Sequence, residues 1–285
     1  MRLILLFLLL QILSLSCSLD PIISDRESLG DFYAYSSLIT GKRVQVLLGK
    51  TVPENPPVDI DNARVTMGYD SFTVPLSYAG DGLYCDINDE LIVQPGQDYE
   101  LSILLPDKKT IEGKTTIPGT FDIIYPTEND TVFYDQTQPS DTLRFPKISW
   151  SESEGAHAYV LSLQIENDDS FQVFSTCVTT FRTQTFLPEI ILNADQILKR
   201  EITAKGYITV AAVDSFTILP PCLRSFLPAL YDYDSLTTYR DISAKYLQEY
   251  NDNQARPSSN LTNALGVFNS IHLVRREIWL KIFIG

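Results

Sequence analysis

Apolar and polar residues alternate one for one in short runs along this chain, and that period confines the runs to strands. Val44, Val46 and Leu48 alternate with Arg43, Gln45 and Leu47. Ala63, Val65 and Met67 alternate with Arg64 and Thr66, and Tyr99, Leu101, Ile103 and Leu105 with Glu100, Ser102 and Leu104. Side chains two residues apart share one face of a strand, whereas a helix needs its apolar residues three and four apart. Turn formers separate the runs: Pro53 to Pro57, Gly80-Asp81-Gly82, Pro95-Gly96 and Pro106-Asp107-Lys108. Short strands punctuated in this way predict a sandwich or barrel rather than an α/β sheet.

A boundary falls at Ile117-Pro118-Gly119, and a second set of strands follows over 121–125, 143–150, 159–165, 171–179 and 207–213. One helix interrupts them, with Asn193 placed to cap it, Gln196 three residues on, and Ile197 and Leu198 facing inward. Asp241 to Tyr250 predicts a second short helix with Ile242, Tyr246 and Tyr250 on one side. Arg256-Pro257-Ser258-Ser259 breaks it, and an apolar-rich tail runs from Leu261 to the last residue. The expected fold is all-β: a sandwich over 31–118, a second over 119–232, and a helix-containing segment over 233–285 docked on the second.

The composition agrees with that class. The chain holds 15 Tyr and 14 Phe but only 2 Met, which suits sheets better than helices. Its 285 residues have room for two ordinary domains. Asp and Glu outnumber Lys and Arg 36 to 22, giving a formal charge of −14. A surface this acidic repels phosphate backbones, so no nucleic-acid partner is expected.

The N-terminus follows the grammar of export: Arg2, the apolar run Leu3 to Leu10, then Leu13-Ser14-Leu15-Ser16-Cys17. The apolar stretch is too short to span a bilayer as a permanent helix. A lipobox wants a small residue just before the Cys and aliphatic residues upstream, which Ser16, Leu15 and Leu13 supply. Ser14 departs from the pattern, which commonly has Leu there, and a plain export signal with a coincidental Cys is the alternative. The reading adopted is a signal peptide over 1–17 with Cys17 as the lipidated residue, followed by a tether over 18–30. Each buried methylene of an acyl chain contributes about 0.8 kcal/mol, so the anchor would be effectively permanent.

Three cysteines remain, Cys85, Cys177 and Cys222. An odd number allows one internal disulfide and leaves a thiol. Cys177 and Cys222 fall in the same expected unit and are the candidate pair, with buried free thiols as the equal alternative.

Two stretches carry resemblances. Ile148-Ser149-Trp150, followed by Glu154-Gly155-Ala156-His157-Ala158-Tyr159-Val160-Leu161, resembles the fibronectin type III arrangement. There a strand-borne Trp fills the gap between two sheets, and a Tyr opening the next strand packs beside it. The order Asn62-Ala63-Arg64-Val65-Thr66, Gly82-Leu83-Tyr84, Pro95 to Leu101, Pro106-Asp107 and Thr116-Ile117-Pro118 resembles transthyretin-like, carboxypeptidase-regulatory-like sandwiches. The late stretch Ser259-Asn260-Leu261-Thr262-Asn263-Ala264-Leu265-Gly266-Val267-Phe268 is similar to the closing motif of an uncharacterised Bacteroidota lipoprotein family, domain of unknown function 4249. That resemblance implies a lipid-anchored protein of the outer membrane in the cell envelope, associated with a TonB-dependent receptor or another envelope protein. It assigns no reaction. Lys108 stands where a Gly often follows Pro-Asp, Asn269 replaces the Gly expected after Val-Phe, and the apolar tail Ile278 to Ile284 is unusual.

Catalytic chemistry has little to draw on. The two His, His157 and His272, lie far apart in sequence, with no nucleophile elbow or metal spacing near either. Gly49-Lys50-Thr51 fails as a phosphate loop, because Val44 occupies the place of the first Gly and no helix follows. Asp59 with Asp61, Asp86 with Asp89 and Glu90, and Asp232 with Asp234 match no contiguous calcium loop. Neither a cofactor nor a metal is expected.

The aromatics Tyr231, Tyr233, Tyr239, Tyr246 and Tyr250 crowd the start of the C-terminal segment. They suit either a sugar or peptide platform or packing against the second sandwich, and Tyr231 and Tyr233 are the candidate binding residues. The expected function is that of a non-enzymatic accessory or binding protein held at the membrane by its lipid. The alternatives are a structural or adhesive surface module and, behind it, a carboxylate-dependent hydrolase.

Overall fold

In a computed structural model, residues 32–50, 58–135, 146–165, 177–186, 201–215, 217 and 260–283 are described. Among these residues all regular structure is strand, and the fold is all-β. The strands of the first half are β1 (Phe32–Ile39), β2 (Gln45–Lys50), β3 (Val58–Asp59), β4 (Arg64–Tyr69), β5 (Phe72–Gly80), β6 (Leu83–Cys85), β7 (Asp98–Leu104) and β8 (Thr110–Thr116). Those of the second are β9 (Ile123–Tyr125), β10 (Thr131–Asp135), β11 (Lys147–Trp150), β12 (Ala158–Ile165), β13 (Cys177–Thr180), β14 (Gln184–Phe186), β15 (Glu201–Val213) and β16 (Leu265–Phe283). The helices expected after Asn193 and over Asp241 to Tyr250 lie outside the described residues.

The alternation places the first core. Val65 and Met67 of β4, Tyr99, Leu101 and Ile103 of β7 and Ile111 of β8 turn inward against Ala34 and Leu38 of β1 and Val46 and Leu48 of β2. Each such aliphatic side chain contributes roughly 1.5–3 kcal/mol by leaving water. One strand joins the two layers: Phe72 to Leu76 of β5 pair with β4, and Ser77 to Gly80 pair with β6, with a register shift between Tyr78 and Gly80.

In the second core the short sheet β14-β11-β9 faces β12, β15 and the far part of β16. Trp150 is fully buried there, its ring 5.4 Å from that of Tyr159 and tilted to it. The Tyr159 hydroxyl accepts the backbone N–H of Ser153 at 2.8 Å, which ties down the turn between β11 and β12.

The strand β16 belongs to both cores. Its first residues pair in parallel with β1, from Tyr33 with Leu265 to Ile39 with Ile271. Its remainder pairs antiparallel with β15, from Val213 with Ile271 to Glu201 with Phe283, and its last five residues also pair with β10. Phe268 therefore lies in the first core, while Ile278, Leu280 and Ile282 lie in the second. The C-terminal segment, expected to dock on the second unit, contributes through its described part to both cores, because one extended strand is long enough to serve two ladders in turn.

The closing motif explains how β16 enters. Asn260 accepts the N–H of Phe268 at 2.9 Å, and on the edge of β8 Thr262 donates its N–H to the Glu112 carbonyl at 2.8 Å while its hydroxyl accepts the Glu112 N–H at 3.0 Å. Gly266 has φ +123°, and a Cβ there would sit 1.8 Å from the carbonyl oxygen of Ala34, so only glycine admits the parallel approach of β1. The Pro-Asp-Lys turn has the opposite character: Lys108 adopts φ +70°, the left-handed conformation in which glycine is at ease.

Candidate functional site

Inward positions of the last strands supply the second core, so the residues between them form an open face. On β16 these are Glu277, Trp279, Lys281 and Phe283, on β15 Glu201, Thr203, Lys205 and Tyr207, and on β10 Thr131 and Phe133. Register sets them side by side: Thr131, Trp279 and Lys205 form one row across the strands, and Phe133, Lys281 and Thr203 the next. Phe133 is 56% exposed and Trp279 42%, large apolar surfaces for one patch. The rings of Phe133 and Phe283 lie 6.2 Å apart with planes 6° from parallel.

Two ion pairs lie on this face. Lys205 Nζ lies 2.9 Å from Glu277, and Lys281 Nζ lies 2.8 Å from Glu201. The ammonium groups also approach aromatic rings, Lys281 at 5.6 Å from the centroid of Phe283 and Lys205 at 5.7 Å from that of Tyr207. Further along, the guanidinium of Arg275 stacks on Tyr207 at 3.7 Å. The result is an array of aromatic faces interleaved with paired donors and acceptors, held on strands whose opposite face is core.

Of the residues singled out in the sequence, Cys17, Cys222, Tyr231, Tyr233 and the pair Asp232 and Asp234 lie outside the described residues. The backbone of Cys177 pairs with Ser162 in β13, and Cys85 is a buried free thiol whose ionisation burial pushes up. His157 is exposed and meets Phe181 edge-on at 5.7 Å. Nδ1 of the partly buried His272 lies 2.8 Å from the Thr40 hydroxyl, and its ring lies edge-on to Phe121.

The acidic run after β6 is a structured turn. Asp86 is buried and accepts the N–H of Leu91 at 2.7 Å, while hydrogen bonding to Arg43 holds the Asp89 carboxyl below its ordinary value of 3.8. Among the described residues no group of three or more His, Cys, Asp or Glu is placed to hold a metal.

Trp279, Phe133, Phe283 and their ion-paired neighbours were not singled out by sequence. A signal existed in the tail, where Ile278, Leu280 and Ile282 alternate with Trp279, Lys281 and Phe283. Aromatics on the side of the alternation that should meet water mark a strand with two kinds of face.

Fold and face together define an all-β protein with two layered cores and an open aromatic sheet surface. The chain belongs to the family described as Domain of unknown function (DUF4249), whose model matches residues 33–272. Trp279, Lys281 and Phe283 lie beyond the matched residues. No curated protein matches it in sequence.

Among solved structures it is similar to the human mucin-like protocadherin EC1-2, at 10% identity and a TM-score of 0.25 over 88% of this chain and 95% of that one. The chicken CNTN1 FN1-FN3 domains are similar at 10% identity and a TM-score of 0.24, over 63% of this chain and 57% of that one. A calcium-stabilised, ice-binding adhesin of an Antarctic bacterium follows at 10% identity and a TM-score of 0.18, over 65% and 45%. At scores this low nothing is carried over from these proteins.

Proposed function

We propose that this chain is a lipid-anchored, non-enzymatic binding protein of the outer membrane, built as two tandem sandwich units that share their last strand. The observation that carries the reading is the exposed face of Phe133 and Trp279, set among ion pairs on rigid strands. Exposed aromatic side chains bring large contact area at low entropic cost and dominate binding energy where they meet a partner. Cys17 and its lipobox would fix such a face beside other envelope components. A TonB-dependent receptor or another envelope protein is the proposed neighbour, and the second unit, with Trp150, Gly155 and Tyr159 in order, is proposed as fibronectin type III-like.

The test is a pull-down from detergent-solubilised membranes, run beside a panel of ester, peptide and glycoside substrates. The reading expects an envelope component, protein or glycan, retained by the wild type, weakened by Trp279→Ala and Phe133→Ala, and no turnover. Reproducible turnover abolished by one carboxylate substitution, with no retained partner, would overturn it in favour of a hydrolase.

A further inference from the structure

We infer that the outer face of β10, β15 and β16 is a stacking platform for a neutral polysaccharide. The inference rests on the binding role proposed for this face and names the ligand.

Phe133 and Trp279 are presented rather than packed away. Phe133 and Phe283 are nearly parallel, yet at 6.2 Å between centroids they cover little of one another, and Trp279 lies open beside them. Flat apolar faces of this kind match the C–H face of a pyranose ring, which is apolar although its rim is polar. Trp279 and Phe133 stand one outward position apart on paired strands, about 8 Å from each other, within the length of two sugar rings.

The charges choose between ligands. Lys205 is paired with Glu277, and Lys281 with Glu201, so these four groups sum to no net charge. An ionic ligand that used any of these four groups would have to separate its pair. A hydroxyl is both donor and acceptor and can bond to the ammonium and the carboxylate while leaving the pair intact. A protein partner would have to strip water from both pairs as it closed over them, which is costly without new partners in good geometry. A sugar chain leaves much of that water in place. Lys281 lies over the ring of Phe283 and Lys205 over that of Tyr207, so the open ring faces are those of Phe133 and Trp279, with the ammonium groups within reach of the polar rim of a sugar stacked there.

The experiment is native gel electrophoresis of the purified full mature chain through gels containing amylopectin, laminarin, xylan or galactomannan, with alginate and polygalacturonate as anionic counterparts. At least one neutral polysaccharide should retard the wild type, and the anionic ones should not retard it more. Trp279→Ala and Phe133→Ala should each weaken retardation about tenfold with an unchanged urea midpoint. Phe72→Ala, at the exposed β4–β5 turn, should leave it unchanged. No retardation by any of the four neutral polysaccharides overturns the inference, as does equal retardation of the two aromatic variants or stronger retardation by the anionic gels. If the polysaccharides fail while both variants still lose a membrane partner, the ligand is wrong and the binding role stands.

Discussion

The hydroxyl of Thr115 donates a 2.7 Å hydrogen bond to Oδ2 of Asp214, a residue 99 positions later in the chain. Oδ1 of the same buried carboxylate accepts the backbone N–H of Thr217 at 2.7 Å and its hydroxyl at 2.8 Å. The Ser270 hydroxyl, with one proton to give, lies 3.0 Å from Oδ2 and 2.8 Å from the carbonyl of Thr116. Asp214 thus ties β8, in the first core, to the end of β15 and to β16, which carry the second. Asp214→Ala leaves these buried donors unsatisfied, at about 1–3 kcal/mol each. The variant should lose about 3 kcal/mol or more in urea unfolding, and an unchanged midpoint would contradict the role given to Asp214.

Trp150→Ala should cost about 3–5 kcal/mol, because the indole fills the gap between the short sheet and the long one. Its Nε1–H has no hydrogen-bond partner, so Trp150→Phe forfeits volume but no hydrogen bond and should cost clearly less. Equal losses from the two variants would show that the ring's bulk is not what the second core requires.

Burial pushes the imidazole of His272 below its ordinary value of 6.5. The unfolded chain therefore takes up a proton at a higher pH than the folded one. The stability linked to neutral His272 is fully present above pH 6.5 and is lost as the pH falls through the lower folded value. Urea midpoints measured at pH 7.5 and 5.5 should separate more for the wild type than for His272→Gln. The same separation in both would remove His272 from the acid response.

Cys17→Ala should move the protein from the membrane to the soluble fraction. Wild-type protein found soluble, with no acyl mass on its N-terminal peptide, would end the lipid-anchor proposal.

Alternation was enough to find the strands with one dry face. The inward sets of β4 and β7, Val65 with Met67 and Tyr99 with Leu101 and Ile103, are those the sequence indicated, and all are buried. It could not find β1, where every residue from Tyr33 to Ile39 is buried, because a strand covered on both faces shows no period. The parallel pairing of β1 with β16 joins residues more than 230 positions apart, and nothing local announces so distant a partner. The closing motif was legible as a pattern but not as a mechanism, since the need for Gly266 arises only when Ala34 lies against it. The aromatic face was missed for a related reason: the tail reads as apolar until the inward and outward halves of its alternation are assigned to different surroundings.

One strand, β16, makes a single body of two cores, and the tryptophans and Cys85 together report whether it does. Trp150 and Trp279, the chain's 2 Trp, both lie on the strands of the second core. Cys85 is a buried thiol in β6, on the layer of the first. Pulsed thiol labelling, read by mass spectrometry on the Cys85 peptide, reports when the first core opens, and tryptophan fluorescence reports the second. Across one urea titration the two transitions should coincide, because neither core keeps its β16 residues when the other is lost. Cys85 labelling that rises at a urea concentration where tryptophan fluorescence is still native, or the reverse, would contradict the account.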